Sequence, residues 1–233
     1  MIDRTPWECP YIPDRMAVLP LRVPNHPLSH QDVDTLLASG HRRSGLFWYH
    51  TDCHGCQACE ATRIPVQSFR WTRSLKRVLK RSEELDFHWT TPFATDQLLE
   101  LFNRHRRERG LHHDEEDDSS MERLQSFLVD TSCDTRQMVV VDAAHRPVAV
   151  AVMDVGQRGV SAVYTYFCPD AAKRYSLGTL AVLKEIEFAM SENHEFLYLG
   201  FYVESNRHLN YKARFVPQQR MIGGQWHDIS DAG

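Results

Sequence analysis

The second half of the chain shows a regular order of hydrophobic and polar positions. Alternating or continuous apolar runs predict strands over residues 137–141, 147–154 and 159–167. Apolar residues at helical spacing then predict a long helix over 176–190, followed by a fourth strand over 196–203. Short turns join the first three strands, so we expect these strands to be antiparallel. The pattern indicates an α+β fold with helices and a mixed, mostly antiparallel sheet.

The first half is less regular, because prolines interrupt the first forty residues. Helical spacing predicts helices over 29–39, 73–85, 97–109 and 121–129. Residues 45–49 and 61–69 predict two strands that pair with each other around a cysteine loop. A stretch containing Ser, Thr and Pro at 90–96 predicts a boundary. We therefore expect a smaller N-terminal Cys-containing module over 1–95 and a second domain over 96–233.

Composition narrows the class of protein. The 233 residues are 42% hydrophobic and 25% charged, as in an ordinary globular protein. We expect no membrane association, because no apolar run approaches the roughly 18 residues of a membrane span. A start without a basic and apolar leader, together with only six cysteines, favours a reducing cytoplasm. The acidic run 114–118, beside His112 and His113, is expected in a solvated loop.

Charge is unevenly distributed, although the net charge is only −4. Between Gly40 and Ser82 there are nine basic residues and two acidic ones, a local balance of +7. Most of these cations fall in one predicted helix and just before it, and we take six as a nucleic-acid-binding set: Arg70, Arg73, Lys76, Arg77, Lys80 and Arg81. Steps of three and four place Arg70, Arg73, Arg77 and either Lys80 or Arg81 on one face, with Lys76 beside them, and such a stripe suits a phosphate backbone. The alternative is a solvated amphipathic helix.

Three cysteines recur at a period of three residues. Cys53, Cys56 and Cys59 have a spacing typical of metal ligands, and Cys9 is a candidate fourth ligand. His50 or His54 is an alternative fourth ligand for zinc. We expect either a structural zinc or iron–sulfur site at this loop, or simply reduced, partly buried cysteines.

A second anion site is expected where the third strand of the second half leads into the long helix. Lys173 and Arg174 precede Ser176, Leu177 and Gly178 at the predicted helix start. Exposed backbone N–H groups at such a start attract phosphates, and the small residue permits close approach. Ser176 is also suited to cap the helix, and the two roles are compatible.

Three strands, a helix and a fourth strand after two helices form the layout of GNAT acyltransferases, whose sheet splays to admit an acyl donor. The sequence is also similar to a known family in several segments: 161–170, 176–187, 198–203 and 210–217, preceded by 40–45 and the cysteine loop. Through these segments the chain resembles the aminoacyl-tRNA protein transferases of the arginyltransferase superfamily. Within that family it resembles the bacterial members that donate leucine.

The resemblance implies transfer of leucine from leucyl-tRNA to the N-terminal amine of proteins beginning with Asp or Glu, which marks them for degradation. Two alternatives are also enzymes: a transferase that donates arginine instead of leucine, and a GNAT enzyme that uses an acyl coenzyme A. Ser176 stands where the coenzyme A loop would have its first glycine, which counts against the second. A non-catalytic RNA-binding module is a third alternative.

Aminolysis of an activated ester needs positioning and oxyanion stabilisation, and no cofactor is required for this chemistry. Tyr164 and Tyr166 point to the same side of the third strand, where a phenol can stabilise the oxyanion. The alternative is that one or both pack in the core.

An acidic acceptor side chain needs a cation, and an arginine fork matches a carboxylate in two bonds. We favour Arg42 and Arg43 for this role. Lys212 and Arg214 are predicted to orient the acceptor or the tRNA end, and Tyr211 completes the predicted substrate-binding set.

Overall fold

The computed structural model describes residues 4–111 and 118–229. Of the acidic run expected in a solvated loop, only Asp118 lies within this range, and His112 and His113 lie outside it. No helix in these two ranges is long and apolar enough to cross a membrane.

Six α-helices are described. They are α1 (His30–Ala38), α2 (Arg73–Arg81), α3 (Asp96–Arg109), α4 (Met121–Leu124), α5 (Pro169–Tyr175) and α6 (Leu177–Ser191). A π-helical turn, Gln125–Val129, continues α4, and short 3-10 helices cover Val66–Ser68 and Asn210–Arg214.

Twelve strands are described. They are β1 (Trp7–Glu8), β2 (Met16–Ala17), β3 (Arg42–Ser44), β4 (Phe47–Tyr49), β5 (Glu60–Pro65), β6 (Asp86–Thr90), β7 (Thr135–Val141), β8 (Pro147–Val155), β9 (Gly159–Phe167), β10 (Phe196–Tyr202), β11 (Gln218–Ile222) and β12 (Gln225–Ile229).

Eight of these strands form one sheet in the order β12-β11-β5-β10-β9-β8-β7-β6. Every neighbouring pair is antiparallel except β9 and β10, which are parallel. The expected α+β class with a mostly antiparallel sheet is therefore confirmed. The parallel pair is short: β10 pairs with β9 only from Phe196 to Tyr198, opposite Gly159 to Ser161. Beyond these residues the two strands separate, which is the splay that the predicted layout requires.

The pairing predicted around the cysteine loop is wrong. β4 pairs with β3 in a separate two-stranded sheet, and β5 lies between β10 and β11 in the main sheet. The hydrophobic pattern of 45–49 and 61–69 correctly indicates strands, but it carries no information about their partners. The boundary predicted at residue 95 stays a prediction, and strands from both sides of it share the main sheet.

Helices cover both faces of the main sheet. On one face α2 and α6 pack over the alternate β8 residues Ala149, Ala151 and Met153. On the other face α3 and α4 pack over Val150 and Val152. β8 is consequently buried on both faces from Val148 onward, which explains its continuous apolar run. Each fully buried aliphatic side chain contributes about 1.5–3 kcal/mol, so these two layers hold the sheet in place.

Local signals fix the helix ends. The Ser29 hydroxyl accepts a hydrogen bond from the Asp32 backbone N–H, and the Ser29 backbone N–H donates to the Asp32 carboxylate, so α1 begins with a capping box. Gly110 ends α3 in the left-handed conformation, with φ of 63°. Both helix ends agree with the sequence pattern.

Candidate active site

A central cavity of about 620 Å³ opens where β9 and β10 separate. Tyr164 and Thr165 line it from β9, Gly200 and Phe201 line it from β10, and Tyr11 of the N-terminal segment lines a further side. A β-bulge at Tyr198–Gly200 interrupts the pairing of β10 with β5, and Gly200 has φ of 82°. A bulge in this position bends the strand away from its neighbour and helps to create the gap.

Arg42 is a buried cation in this cavity, with 8% of the residue exposed. Its Nη1 donates to Ser161 Oγ over 2.7 Å, and its Nη2 donates to the Ala162 carbonyl. No carboxylate forms an ion pair with it among the described residues. Burial lowers the pKa of Arg42, while more distant acids and phenols oppose this effect. Since a guanidinium has five N–H groups, Arg42 retains donors for a further ligand.

Arg43 is already paired with an acid of the protein. Its Nε donates to both oxygens of Asp154, over 2.9 and 2.8 Å, and both side chains are buried. Its Nη1 donates to the Gly45 carbonyl over 2.8 Å. Asp154 also accepts from Thr135 over 2.8 Å, so the carboxylate is fully occupied by protein groups. Although Arg43 lies at the cavity wall, this pairing makes it an anchor for β3 rather than a free carboxylate binder.

Lys212 is a further basic residue of the cavity and is 7% exposed. Its Nζ donates to the backbone carbonyl of Phe201, and no described carboxylate forms an ion pair with it. The pKa of Lys212 is lowered to about 7, mainly by burial and secondly by the nearby charge of Arg42. The Cys59 thiol opposes this shift. Lys212 is therefore close to the balance between its charged and neutral forms at neutral pH.

The two predicted catalytic tyrosines have different surroundings. Their rings do point to one side of β9, with centroids 6.4 Å apart. Tyr164 lines the central cavity and packs edge-on against Phe127, and burial raises the pKa of its phenol. Tyr166 is 1% exposed and packs against Phe102 in the core. Only Tyr164 is placed to donate to a ligand, so the prediction of an oxyanion donor is carried forward for Tyr164 alone.

A second cavity of about 440 Å³ lies beside the first, at the start of α6. Ser176 and Gly178 line it together with three arginines that have no carboxylate partner in the described part of the chain: Arg109, Arg207 and Arg214. Arg214 donates to Thr179 over 3.2 Å. Ser176 has φ of 54° and makes no side-chain capping bond, while the Leu177 side chain is fully buried. The predicted anion site thus has more cations than the sequence indicated.

The two cavities meet along a common wall. Five residues line both: Leu111, Tyr164, Thr165, His208 and Tyr211. Burial is the main cause that lowers the pKa of His208, and Arg109 and Arg207 add to this effect. Two ligands, one in each cavity, would therefore meet beside Tyr164.

The basic face of α2 is exposed as predicted. Its five cations are exposed, and so is Arg70 before the helix: Arg73, Lys76, Arg77, Lys80 and Arg81. Leu75 and Val78 face inward and are buried. None of the six cations forms an ion pair with a described acidic side chain. Their positive charge is therefore available to a polyanion.

Lys173 and Arg174, also predicted to bind tRNA, are paired with acids. Lys173 lies 2.9 Å from Asp170, and Arg174 lies 2.6 Å from Glu84. Both pairs are exposed to solvent. Because the acids cancel much of their field, these two residues contribute less to a phosphate site than the α2 cations.

The predicted metal ligands remain free cysteines. Cys9, Cys53, Cys56 and Cys59 are all partly exposed. Burial, and then the neighbouring thiols, raises the pKa of Cys59 to about 12. Within 4–111 and 118–229 no group of three or more His, Cys, Asp or Glu side chains is arranged to hold a metal ion. The metal site therefore stays a prediction, and no chemical step is derived from it.

Sequence reasoning missed several residues of the site. Tyr11 and Tyr49 line the central cavity, and Glu185 is buried behind it with neither carboxylate oxygen hydrogen-bonded to a described group. Burial raises the pKa of Glu185 to about 8, and Arg42 opposes this shift. The sequence holds no signal for these three residues. A signal exists only for Gly200, since an isolated glycine inside an apolar strand indicates a bulge.

The splayed sheet thus has two adjoining cavities, and each is lined by cations that have no acidic partner among the described residues. The family description "Arginine-tRNA-protein transferase, N terminus" matches residues 7–77, and "Arginine-tRNA-protein transferase, C terminus" matches residues 97–222. The chain belongs to this family of aminoacyl-tRNA protein transferases.

Several bacterial proteins are similar over most of the chain. The aspartate/glutamate leucyltransferase of Stenotrophomonas maltophilia is 38% identical over 84% of this chain and 79% of its own. The aspartate/glutamate leucyltransferase of Acinetobacter baylyi is 33% identical over 97% of this chain and 83% of its own. Among solved structures, a DUF2156 C-terminal domain from Agrobacterium fabrum has a TM-score of 0.49 at 14% identity, over 64% of this chain and 48% of that one.

Proposed function

We propose that this protein transfers leucine from leucyl-tRNA to the N-terminal amine of proteins that begin with Asp or Glu, in the cytoplasm, and so creates a degradation signal. The observation that carries the proposal is Arg42, a buried cation without a described carboxylate partner, inside the gap between β9 and β10. Such a group is costly to bury unless a ligand neutralises it. The names of the similar bacterial enzymes agree with an acidic acceptor.

The two cavities suit the two substrates. The acceptor's side-chain carboxylate binds Arg42 in the central cavity. The 3′ end of the tRNA enters the second cavity, where Arg109, Arg207 and Arg214 face its phosphates. The α2 face holds the tRNA body through its backbone charge. The ester carbonyl then lies at the common wall, beside Tyr164.

The chemistry is aminolysis of an ester that is already activated. The neutral amine attacks the ester carbonyl carbon, and the ribose oxygen leaves. Positioning both substrates accounts for most of the rate, because it converts an encounter of two molecules into a reaction within one complex. The Tyr164 hydroxyl is placed to donate to the oxyanion, since its raised pKa keeps it protonated.

A transfer assay tests this function. The protein is incubated with radiolabelled leucyl-tRNA and peptides that begin with Asp, Glu, Asn or Ala. We expect label only on the Asp and Glu peptides, and less label with arginyl-tRNA as donor. Consumption of acetyl coenzyme A, or tRNA retention without transfer, would favour the acyl coenzyme A enzyme or the RNA-binding module instead.

Arg42→Gln tests the carboxylate site. Loss of one partner of a buried charge pair costs about 2–5 kcal/mol, so we expect kcat/KM for the Asp peptide to fall at least about 30-fold. Leucyl-tRNA binding should be unchanged. Arg220→Gln is the matched control, because Arg220 is a half-buried arginine on β11 that pairs with Glu60 outside both cavities. Equal activity of Arg42→Gln and wild type would remove Arg42 from the site.

A further inference from the structure

Lys212 combines three features that are unusual for a lysine. It is almost fully buried, it lines the central cavity, and it has no ion-paired acid among the described residues. Its described partner is the Phe201 carbonyl, on the part of β10 that lies beyond the last pair with β9. A structural lysine in a core is normally neutralised by a carboxylate. Lys212 therefore needs a different explanation.

The charged and titratable groups around Lys212 come from two other elements. Arg42 on β3 disfavours a second positive charge nearby, and the Cys59 thiol before β5 favours it. Burial is the largest cause that lowers the pKa of Lys212 to about 7, and Arg42 adds to it. An α-ammonium has an ordinary pKa of about 7.7–8.0. Proton transfer from an acceptor amine to neutral Lys212 is therefore nearly balanced in free energy.

We propose that Lys212 takes the proton from the acceptor's α-ammonium, and that the acceptor's acidic side chain promotes this step by neutralising Arg42. The inference rests on the proposed function and deepens it. The amine and the side-chain carboxylate of an N-terminal Asp or Glu belong to one residue, so the groups that handle them must be neighbours. Arg42 and Lys212 both line the central cavity, and neither forms an ion pair with an acid among the described residues.

The proton balance is complete without a cofactor. The α-ammonium carries three protons, and the amide nitrogen of the product retains one. Lys212 Nζ accepts the first proton before the nitrogen attacks. The second passes from the nitrogen to the departing ribose oxygen as the carbon–oxygen ester bond breaks. Lys212 then returns its proton to solvent, which restores the neutral amine.

The carboxylate acts through charge. In the empty cavity no described carboxylate forms an ion pair with Arg42, and the field of Arg42 adds to burial in keeping the proton affinity of Lys212 low. A bound Asp or Glu side chain cancels this field, so Lys212 gains proton affinity when an acidic acceptor arrives. An Asn or Ala acceptor brings no such charge. Acidic acceptors are thereby favoured in kcat as well as in KM.

Two substitutions separate a base from a fixed cation. Lys212→Gln removes both functions, and Lys212→Arg keeps the charge but cannot lose it. General base catalysis contributes about 10²–10⁴-fold, so we expect both variants to lose at least about 100-fold in kcat for the Asp peptide. Lys184→Gln is the control, because Lys184 is a partly buried lysine on α6 that pairs with Glu187. An active Lys212→Arg would overturn the proposal.

An altered acceptor distinguishes chemistry from misfolding. The peptide carries an aminooxy group in place of the terminal α-amine of Asp, and this nucleophile is unprotonated at neutral pH. Because it needs no base before attack, we expect Lys212→Gln to use it within about threefold of the wild type. Equal losses with the amine and the aminooxy peptide would overturn the proposal, because a purely structural role affects both.

A titration tests Lys212 without either substrate. In protein labelled with [ε-¹³C]lysine, the Lys212 signal is identified by its absence in Lys212→Arg. We expect it to titrate near pH 7, below the other lysines, and to move upward when succinate is added as a carboxylate probe. If Lys212 instead titrates together with the surface lysines, the proposed proton transfer is wrong, while the proposed function is unaffected. Absence of any transfer by the wild type overturns the proposed function and the step together.

Discussion

Arg42 lies flat against the backbone of Gly200. A Cβ atom at residue 200 would lie 3.0 Å from the Arg42 Cζ atom and 3.1 Å from its Nε and Nη2 atoms. The φ of 82° at Gly200 is itself unfavourable for any other residue. The glycine therefore serves two purposes, since it permits the bulge in β10 and leaves room for the guanidinium.

Gly200→Ala should affect stability and specificity together. The positive φ costs about 1–2 kcal/mol with a Cβ atom present, and the contact with Arg42 adds to this cost. We expect a lower melting temperature and a reduced preference for Asp over Asn peptides, because Arg42 is displaced.

Gly223→Ala is the matched control, since Gly223 has φ of 58° and no atom within 4 Å of its added Cβ. We expect this variant to be destabilised by a similar backbone strain, while its preference for Asp over Asn peptides is unchanged. If both variants keep the wild-type preference, the contact between residue 200 and Arg42 has no role in recognition.

Two pairs of residues in the site could not be told apart from the sequence. Adjacent arginines at 42 and 43 look alike in the sequence, but neighbouring side chains of a strand point to opposite faces. Arg43 meets Asp154, which is 111 positions away, and Arg42 meets no described acid. Nothing local distinguishes them. The Tyr164 and Tyr166 pair is similar: Phe102 of α3 contacts both rings, but of the two only Tyr166 is fully buried.

At the scale of elements, the strongest periodic segments were predicted best. β9 has the predicted bounds 159–167, and α6 is offset from its prediction by one residue. β6 and β12 were missed, because they are short edge strands whose polar residues give no clear alternation. They form because a neighbouring strand offers hydrogen bonds, which is a property of the sheet and not of their own sequence.

The α2 helix makes a prediction at this scale. Replacing Arg73 and Arg77 by Gln removes two exposed cations from a helix without acids, and its core side Leu75 and Val78 is untouched. We expect weaker tRNA binding and a salt slope that is smaller by about 1–2, because fewer counterions are released. Filter binding over a range of salt concentrations measures this slope.

The control for this variant removes two other exposed arginines. Arg146 pairs with Asp142 and Arg158 pairs with Glu195, so neither offers free charge to a phosphate. The control should leave the salt slope at the wild-type value. A slope that is unchanged in the α2 variant would return α2 to the interpretation of a solvated amphipathic helix.

At the scale of the whole molecule, the main sheet crosses the boundary predicted at residue 95. β5 hydrogen-bonds to β10 on one side and to β11 on the other, while β6 forms the far edge beside β7. The two predicted parts follow each other along the sequence, but both contribute strands to one sheet.

We predict that the fragment 96–233 does not fold cooperatively by itself. Without β5 it would expose the backbone edges of β10 and β11, and it would lose the contacts of α2 with α6. Thermal unfolding followed by circular dichroism should show no sharp transition for the fragment. Co-expression with 1–95 should restore one. A fragment that melts like the full chain would establish two independent domains.

The carboxylate that Arg42 binds is not consumed in the proposed reaction. After transfer, the product still carries its acidic side chain, now in the second residue behind a new leucine. Release of each product must therefore break the contact that selected the substrate. Very tight recognition by Arg42 would slow turnover and make leucylated chains competitive inhibitors, so moderate affinity for acidic termini serves the enzyme best.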